Sequence, residues 1–238
     1  NGSASATFAY PTMVINPVGH NTRAQYDFNT GLIVDHRDPN GVVTSAYHDD
    51  ELGRITAVER AARTGAAHRT RFEYNDTAHL VTTLSDRDAL GDGLLVNETK
   101  YDDLGRTTYT RTYEGGGWIK TETGYDGLGR VASVSNPFRG ATATEVTSTE
   151  YDGLGRVSDV IAPGGARTET RYNGSATTVT DPAGKKRTTK TDALGRIAKV
   201  IEDPGGTDPA TKDLETDYSY DVLGNLIEVR QGTEQTRT

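Results

Sequence analysis

The sequence predicts an all-β fold made of repeated β-hairpins, on two observations. The hexapeptide Tyr-Asp-Gly-Leu-Gly-Arg occurs at 125–130 and again, unchanged, at 151–156. Related strings occur at 101–106 (YDDLGR), 191–196 (TDALGR) and 220–225 (YDVLGN). Recurrence every 20–30 residues or so is the signature of a repeat architecture. Only 33% of the residues are hydrophobic, which suits hairpins in a sheet one layer deep better than a thick core.

Each residue of the hexapeptide has a physical reason to form a hairpin. Tyrosine favours strands and packs through a large ring. Aspartate accepts hydrogen bonds from the backbone two residues on and starts a turn. The second glycine supplies the positive φ that closes a short hairpin. We therefore predict strand, tight turn and strand in each unit, with positive φ at Gly129 and Gly155.

Apolar residues restart the strand after each turn at an unusual spacing. Val131 is followed by Val134, and Val157 by Val160, so the two positions are three residues apart. Plain alternation would place them two apart. The spacing predicts a β-bulge or a strand that is partly covered on both faces.

The repeat arginines have two interpretations. They could form a basic ladder for an anionic ligand. Alternatively, each could pair with a repeat aspartate and stack on a repeat tyrosine. We favour the second, and predict that Arg130 and Arg156 contact an Asp or a Tyr ring. The structural motif positions are Tyr101, Asp102, Gly105, Arg106, Tyr125, Asp126, Gly129, Arg130, Tyr151, Asp152, Gly155, Arg156, Gly195, Arg196, Tyr220, Asp221 and Gly224.

The repeats define the organisation of the chain. Degraded copies at 26–32, 49–54 and 74–80 extend the array upstream, with the glycine of the last replaced at 78 and His79 in the arginine position. The array covers 26–230 in about nine units. Residues 1–25 are expected to be a partly ordered lead-in and 231–238 a frayed tail without a cap. The helical-looking window Ala57–Arg63 is short and isolated, and is predicted to be a strand plus a loop.

Taken together, the motif and its spacing resemble the YD-repeat (RHS) family. The Y-D-x-L-G-R strings are interleaved with D-P-x-G turns at 38–41, 181–184 and 203–206. The resemblance covers roughly 26–230. That family includes bacterial Rhs proteins, the C components of insecticidal toxin complexes, and teneurins. It implies an all-β repeat architecture in which hairpins form a spiral strip, a solenoid or a partial hollow shell.

The bulk properties exclude several classes of function. The formal net charge of −8 argues against nucleic acid or an anionic membrane as the main partner. There is no cysteine and no apolar run long enough for a membrane span, so thiol chemistry and membrane insertion are not expected. The five histidines lack metal-site spacing. Asp86, Asp88 and Asp92 are expected to be solvated turn residues rather than calcium ligands.

No catalytic motif is present, and we expect neither enzymatic activity nor a cofactor. The chain is predicted to be a structural module of a large secreted or surface bacterial protein, part of a wall that encloses a toxin or of a projecting scaffold. Expected partners are neighbouring repeats, or other copies end to end. The alternative is a glycan-binding or adhesive module that uses exposed tyrosines and Trp118, the most exposed-looking aromatic residue.

Overall fold

The computed structural model of the chain describes residues 10–206, 213–232 and 235–237. Of the lead-in expected at residues 1–25, residues 1–9 lie outside this part. The chain divides into two units. The first comprises the described residues up to 122 with 137–141, and the second comprises 123–136 and the described residues from 142 onward.

The first unit is an antiparallel sheet in which each strand pairs with its neighbours in the sequence. Its strands are β1 (Met13–Ile15), β2 (Asn21–Tyr26), β3 (Ile33–Arg37), β4 (Val43–Tyr47), β5 (Ala57–Arg60), β6 (His68–Asn75), β7 (Leu80–Ser85), β8 (Leu95–Tyr101), β9 (Thr107–Glu114) and the first part of β10 (Gly117–Tyr125).

The second unit continues the same up-and-down order. Its strands are the last part of β10, then β11 (Val131–Ser135), β12 (Val146–Tyr151), β13 (Val157–Ile161), β14 (Arg167–Asn173), β15 (Ala176–Thr180), β16 (Lys186–Thr191), β17 (Ile197–Glu202), β18 (Leu214–Tyr220), β19 (Leu226–Gln231) and β20 (Gln235–Arg237). The only described helical segment is the single 3₁₀ turn Pro163–Gly165. The predicted all-β, hairpin-repeat fold is confirmed.

Within each unit, the strand order places the turns of the hexapeptide copies at one edge of the sheet and the turns between them at the other. Because successive antiparallel strands run in opposite directions, every second turn lies at the same edge of the sheet. In the second unit the motif turns 126–130, 152–156, 192–196 and 221–225 share one edge. The D-P-A-G turn at 181–184 lies at the opposite edge. We call these the motif edge and the opposite edge.

A β-bulge follows six of the motif turns and explains the spacing of the valines. Glu150 pairs with Asp159 and Tyr151 with Val157, so Ser158 is an extra residue in β13. The same shift occurs after the turns at 27–32, 102–106, 126–130, 192–196 and 221–225. With the extra residue inserted, Val157 and Val160 lie on one face although they are three apart. The bulge prediction is confirmed.

The two faces of each sheet differ in chemistry. One face carries threonine, valine and the motif tyrosines, as in the aligned positions Thr149, Val160 and Thr168. The other carries charged residues, as in the row Gln25–Asp35–Ser45–Glu59–Arg69, which crosses five strands in register. The buried apolar residues of the described part are only Ala62, Ala67 and Val200. Cross-strand pairs therefore take the place of a thick core.

Two local predictions can be checked here. The window 57–63 is a strand, β5, followed by a turn in which Ala61 and Arg63 have positive φ, so the prediction of a strand plus a loop is confirmed. The tail differs from expectation. We predicted fraying and no cap after Gly232, but β20 pairs with β19 and covers the edge of the last repeat. A three-residue strand is too short to give a periodic signal in the sequence.

Candidate functional site

The repeated hexapeptide forms a five-residue turn organised by its aspartate. In the unit at 125–130, the Asp126 amide donates to the Arg130 carbonyl at 2.9 Å and the Gly129 amide to the Asp126 carbonyl at 2.9 Å. Asp126 Oδ1 accepts from the amides of Leu128 and Arg130, each at 2.9 Å. Gly129 has φ +83° and Gly155 φ +82°, as predicted. Only glycine adopts this conformation without steric cost.

The arginine then connects the turn to the next repeat. Arg130 donates to Asp126 Oδ2 through Nε and Nη2, both at 2.7 Å. Its guanidinium carbon also lies 4.2 Å from the ring centroid of Tyr151, in the following unit. The Tyr151 hydroxyl donates to the Val131 carbonyl at 2.8 Å, just after that arginine. We call this arrangement the joint: an arginine held by its own aspartate, under a tyrosine anchored to the preceding hairpin.

The joint recurs along the chain. Arg54, Arg156 and Arg196 lie 4.1, 4.0 and 4.5 Å from the rings of Tyr74, Tyr172 and Tyr220. The same tyrosines donate to the carbonyls of Ile55, Val157 and Ile197 at 2.8, 3.0 and 2.9 Å. The arginine prediction is confirmed, with one addition: the tyrosine belongs to the next repeat. Arg106 pairs with Asp102 at 2.6 Å in the same way.

Hydrogen bonds shift the acidity of the motif aspartates. The Arg54 side chain, with the amides of Leu52 and Arg54, lowers the pKa of Asp50 to about 2. Hydrogen bonds from Arg106 likewise hold the pKa of Asp102 below its usual range. For Asp126 the backbone amide of Arg130 is the main cause of a lowered pKa, with burial opposing it. These carboxylates are therefore charged turn and joint residues at neutral pH.

Two degraded copies keep the architecture with different residues. In the copy at 74–80 the His79 amide donates to the Asp76 carbonyl, and His79 itself has φ +50°. His79 thus occupies the glycine position, which corrects our assignment of the glycine to 78 and of His79 to the arginine position. In the copy at 220–225, Asn225 Nδ2 donates to Asp221 at 2.8 Å in place of an arginine.

Trp118 is less exposed than the sequence predicted. It is half-buried, whereas Phe28, at the tip of a motif-edge turn, is 87% exposed. Arg111 lies 4.2 Å from the Trp118 ring centroid and pairs with Glu98, and Tyr113 packs edge-on against the indole at 5.4 Å. Cross-strand pairing brings Tyr113 and Trp118 together, which sequence inspection of the glycine-rich tip does not show. The indole ring is therefore occupied by neighbours from its own sheet.

The motif leucines are a feature that the sequence analysis missed. They lie at the tips of the motif-edge turns and are 73–84% exposed, at Leu52, Leu104, Leu128, Leu154, Leu194 and Leu223. Their backbone amides donate to the motif aspartates, and their side chains are largely exposed. The signal was present in the hexapeptide itself, as an apolar residue repeated at a turn position where none is required.

In the acidic loop at 86–93, aspartate carboxylates accept hydrogen bonds from backbone amides. Asp86 is buried and accepts from the amides of Arg69, Gly91 and Gly93, which corrects its description as solvated. Burial alone would raise the pKa of Asp92, but amides from Arg87, Ala89, Asp88 and Leu94 hold it well below its usual range. In the part of the chain that the structure describes, no cluster of His, Cys, Asp or Glu has metal-site geometry. Nor does any described helix have the length and hydropathy to cross a membrane.

Comparison with known proteins places this fold among toxin structures. No protein-family model and no curated protein matches the chain. The crystal structure of TcdB2–TccC3–Cdc42 aligns over 92% of this chain at 14% identity, with a TM-score of 0.51. The Photorhabdus luminescens Tc holotoxin pore, with a substitution in TccC3, aligns over 93% at 14% identity and 0.53. TcdB2–TccC3 without its hypervariable C-terminal region aligns over 88% at 14% identity and 0.50.

These similarities are of the fold alone. The chain spans 13% of the length of each matched chain. Each match covers most of the present chain, so the shared feature is the β-hairpin repeat as a whole rather than one hairpin.

Proposed function

We propose that this chain is a segment of a YD-repeat (RHS) protein and serves as a non-enzymatic wall element of a large secreted or surface bacterial protein. The wall encloses a toxin or forms a projecting scaffold. The observation that carries the proposal is the joint. In the four joints, the motif aspartate, arginine and tyrosine side chains tie one hairpin to the next, which supports a structural role for them over catalysis or ligand binding.

The chemistry of the repeats supports a structural role. In each of the four joints, the arginine is held by a carboxylate and covered by a ring, and the tyrosine hydroxyl donates to a carbonyl. A catalytic group normally occurs once in a site, whereas these groups recur in successive hairpins. The fold that the chain shares with Tc toxin assemblies supports a toxin-associated wall over an unrelated scaffold.

The exposed leucines support contacts with further hairpins as the expected partners. Exposed apolar patches on a protein surface commonly mark sites of contact with another surface. At the motif edge, the tips in the second unit include Leu128, Leu154, Leu194 and Leu223. Neighbouring repeats of the parent protein, or other copies of this chain, would cover them.

Protease protection in the intact parent protein tests the wall. If the repeats enclose a cargo segment, native parent protein should release that segment to trypsin only after denaturation. Replacing two joint tyrosines, Tyr151 and Tyr172, by alanine should accelerate its digestion. Cargo that is digested equally fast in native and denatured parent protein would refute enclosure.

The glycan-binding alternative is not favoured by the geometry around Trp118, because Arg111 and Tyr113 already occupy the ring. A glycan array separates the two functions. Binding that is lost in Trp118→Ala but retained in Phe28→Ala would favour the adhesive module over the wall.

A further inference from the structure

Two arginines of the first unit face each other across β2 and β3. Arg23 and Arg37 are direct cross-strand partners, so their side chains leave the same face of the sheet. Like charges in this position destabilise a sheet. Neither arginine forms an ion pair with any carboxylate in the described residues, and both are exposed. The motif does not explain them, because they lie outside the hexapeptide copies.

A third arginine completes a cavity around this pair. Arg63 extends from the turn between β5 and β6, where its own φ is +65°. The cavity measures about 240 Å³ and is lined by Arg23, Gln25, Asp35, Arg37, Val43 and Arg63. Three arginines therefore line a space large enough for one small polar group.

The one carboxylate of the cavity is already used. Asp35 accepts a hydrogen bond from the buried Ser45 hydroxyl at 2.5 Å and pairs with Arg63 at 2.7 Å. It therefore neutralises Arg63 and leaves the charges of Arg23 and Arg37 uncompensated. Elsewhere on this face the sheet supplies the partner itself: Arg69 pairs with Glu59 and Arg111 with Glu98, each at 2.6 Å.

We propose that Arg23, Arg37 and Arg63 form a binding site for a tetrahedral oxyanion that carries two charges, the head group of a phosphate monoester. Guanidinium groups bind such oxygens through paired, charge-assisted hydrogen bonds. The two unpaired charges match a dianion. The volume lies below the range of about 300–1,000 Å³ for drug-sized ligands, so the site accepts the head group and leaves the rest of the ligand outside. The Gln25 side chain offers a further amide donor. This site is independent of the proposed wall function.

Isothermal titration of the chain with sodium phosphate tests the site, with sodium sulfate and sodium citrate as further ligands. Chloride at matched ionic strength serves as the reference. We expect saturable binding of phosphate. Inorganic sulfate, which is also a tetrahedral dianion, should bind at the same site. Arg23→Gln and Arg37→Gln should each weaken binding at least tenfold.

Arg60→Gln is the matched control. The Arg60→Gln substitution removes the same charge from the same unit. Arg60 pairs across strands with Thr44 and His68, so its side chain lies on the opposite face of the sheet from the proposed site. Phosphate and sulfate also stabilise folded proteins by exclusion from their surfaces. That effect does not saturate and is the same in all variants, so saturable binding kept in Arg60→Gln and lost in Arg37→Gln is specific to the site.

Four results would overturn the proposal. One is a heat of phosphate binding no larger than the heat measured with chloride. A second is phosphate binding that is weakened equally in Arg60→Gln and Arg37→Gln. The third concerns the melting temperature without phosphate. Removing one member of a like-charge pair should leave it unchanged or raise it. A clear fall in Arg37→Gln would show that the guanidinium is a structural partner rather than a ligand group. Tight citrate binding without phosphate or sulfate binding would likewise reject the tetrahedral dianion.

Discussion

Replacing Gly155 by alanine isolates the backbone requirement of the motif turn. Gly155 has φ +82°, and a Cβ there would lie 3.5 Å from Arg130 Nη1, an ordinary contact. The cost is therefore conformational, about 1–2 kcal/mol for a residue with a side chain in this region. Gly153 of the same turn is the control, since its φ is not in this region and its Cβ would meet nothing within 4 Å. Both substitutions restrict the unfolded chain equally.

The difference between the two variants therefore measures the strain at Gly155. For a chain of this size, we expect Gly155→Ala to melt about 2–8 °C below Gly153→Ala, measured by calorimetry. Gly155→Asn should lower the melting temperature less than Gly155→Ala does, because asparagine tolerates positive φ better than alanine. Equal melting temperatures for Gly155→Ala and Gly153→Ala would refute the assignment of the second motif glycine as the residue that the turn requires.

Three further predictions concern the joint, acid stability and association. Tyr151→Phe should cost about 0.5–1.5 kcal/mol in urea unfolding, because the Val131 carbonyl loses its donor; no change would count against the tyrosine anchor. Asp50 has a folded pKa of about 2, below its unfolded value, so its stabilisation is present above about pH 4 and lost as pH falls toward 2. Asp50→Asn should therefore flatten the acid unfolding curve over this window and Glu51→Gln should not; parallel curves would refute this. The net charge of −8 opposes end-to-end association, so sedimentation should show larger species as salt rises; a monomer at high protein and salt concentration would contradict it.

The sequence predicted the turn because its chemistry is local. The aspartate, the second glycine and the restart of the strand all lie within a few residues, and their preferences agree. The valine spacing even predicted the bulge, since an extra residue changes the period along a single strand. The positions of Gly129 and Gly155 therefore followed from the hexapeptide alone.

Features that depend on pairing between hairpins could not be predicted in the same way. That Arg130 stacks on Tyr151 rather than on Tyr125 requires the register of three strands. His79 was misassigned by one residue because the degraded copy has no glycine to mark the position with positive φ. Trp118 seemed exposed beside its glycines, but the cross-strand partner Tyr113 and the neighbouring Arg111 pack against it.

The hexapeptide combines two devices that the chain also uses separately. The D-P-A-G turn at the opposite edge has the same geometry as a motif turn: Asp181 Oδ1 accepts from the amides of Ala183 and Lys185, and Gly184 has φ +80°. It lacks the tyrosine and the arginine. Conversely, the copy at 220–225 keeps its aspartate and glycine but has Asn225 in place of the arginine. Asp and Gly therefore make the hairpin at either edge, whereas Arg and Tyr tie hairpins together at the motif edge only.

Because each joint links only neighbours, a repeat can lose its arginine or tyrosine while the sheet continues through its strand pairing. This explains why degraded copies persist inside an otherwise regular array.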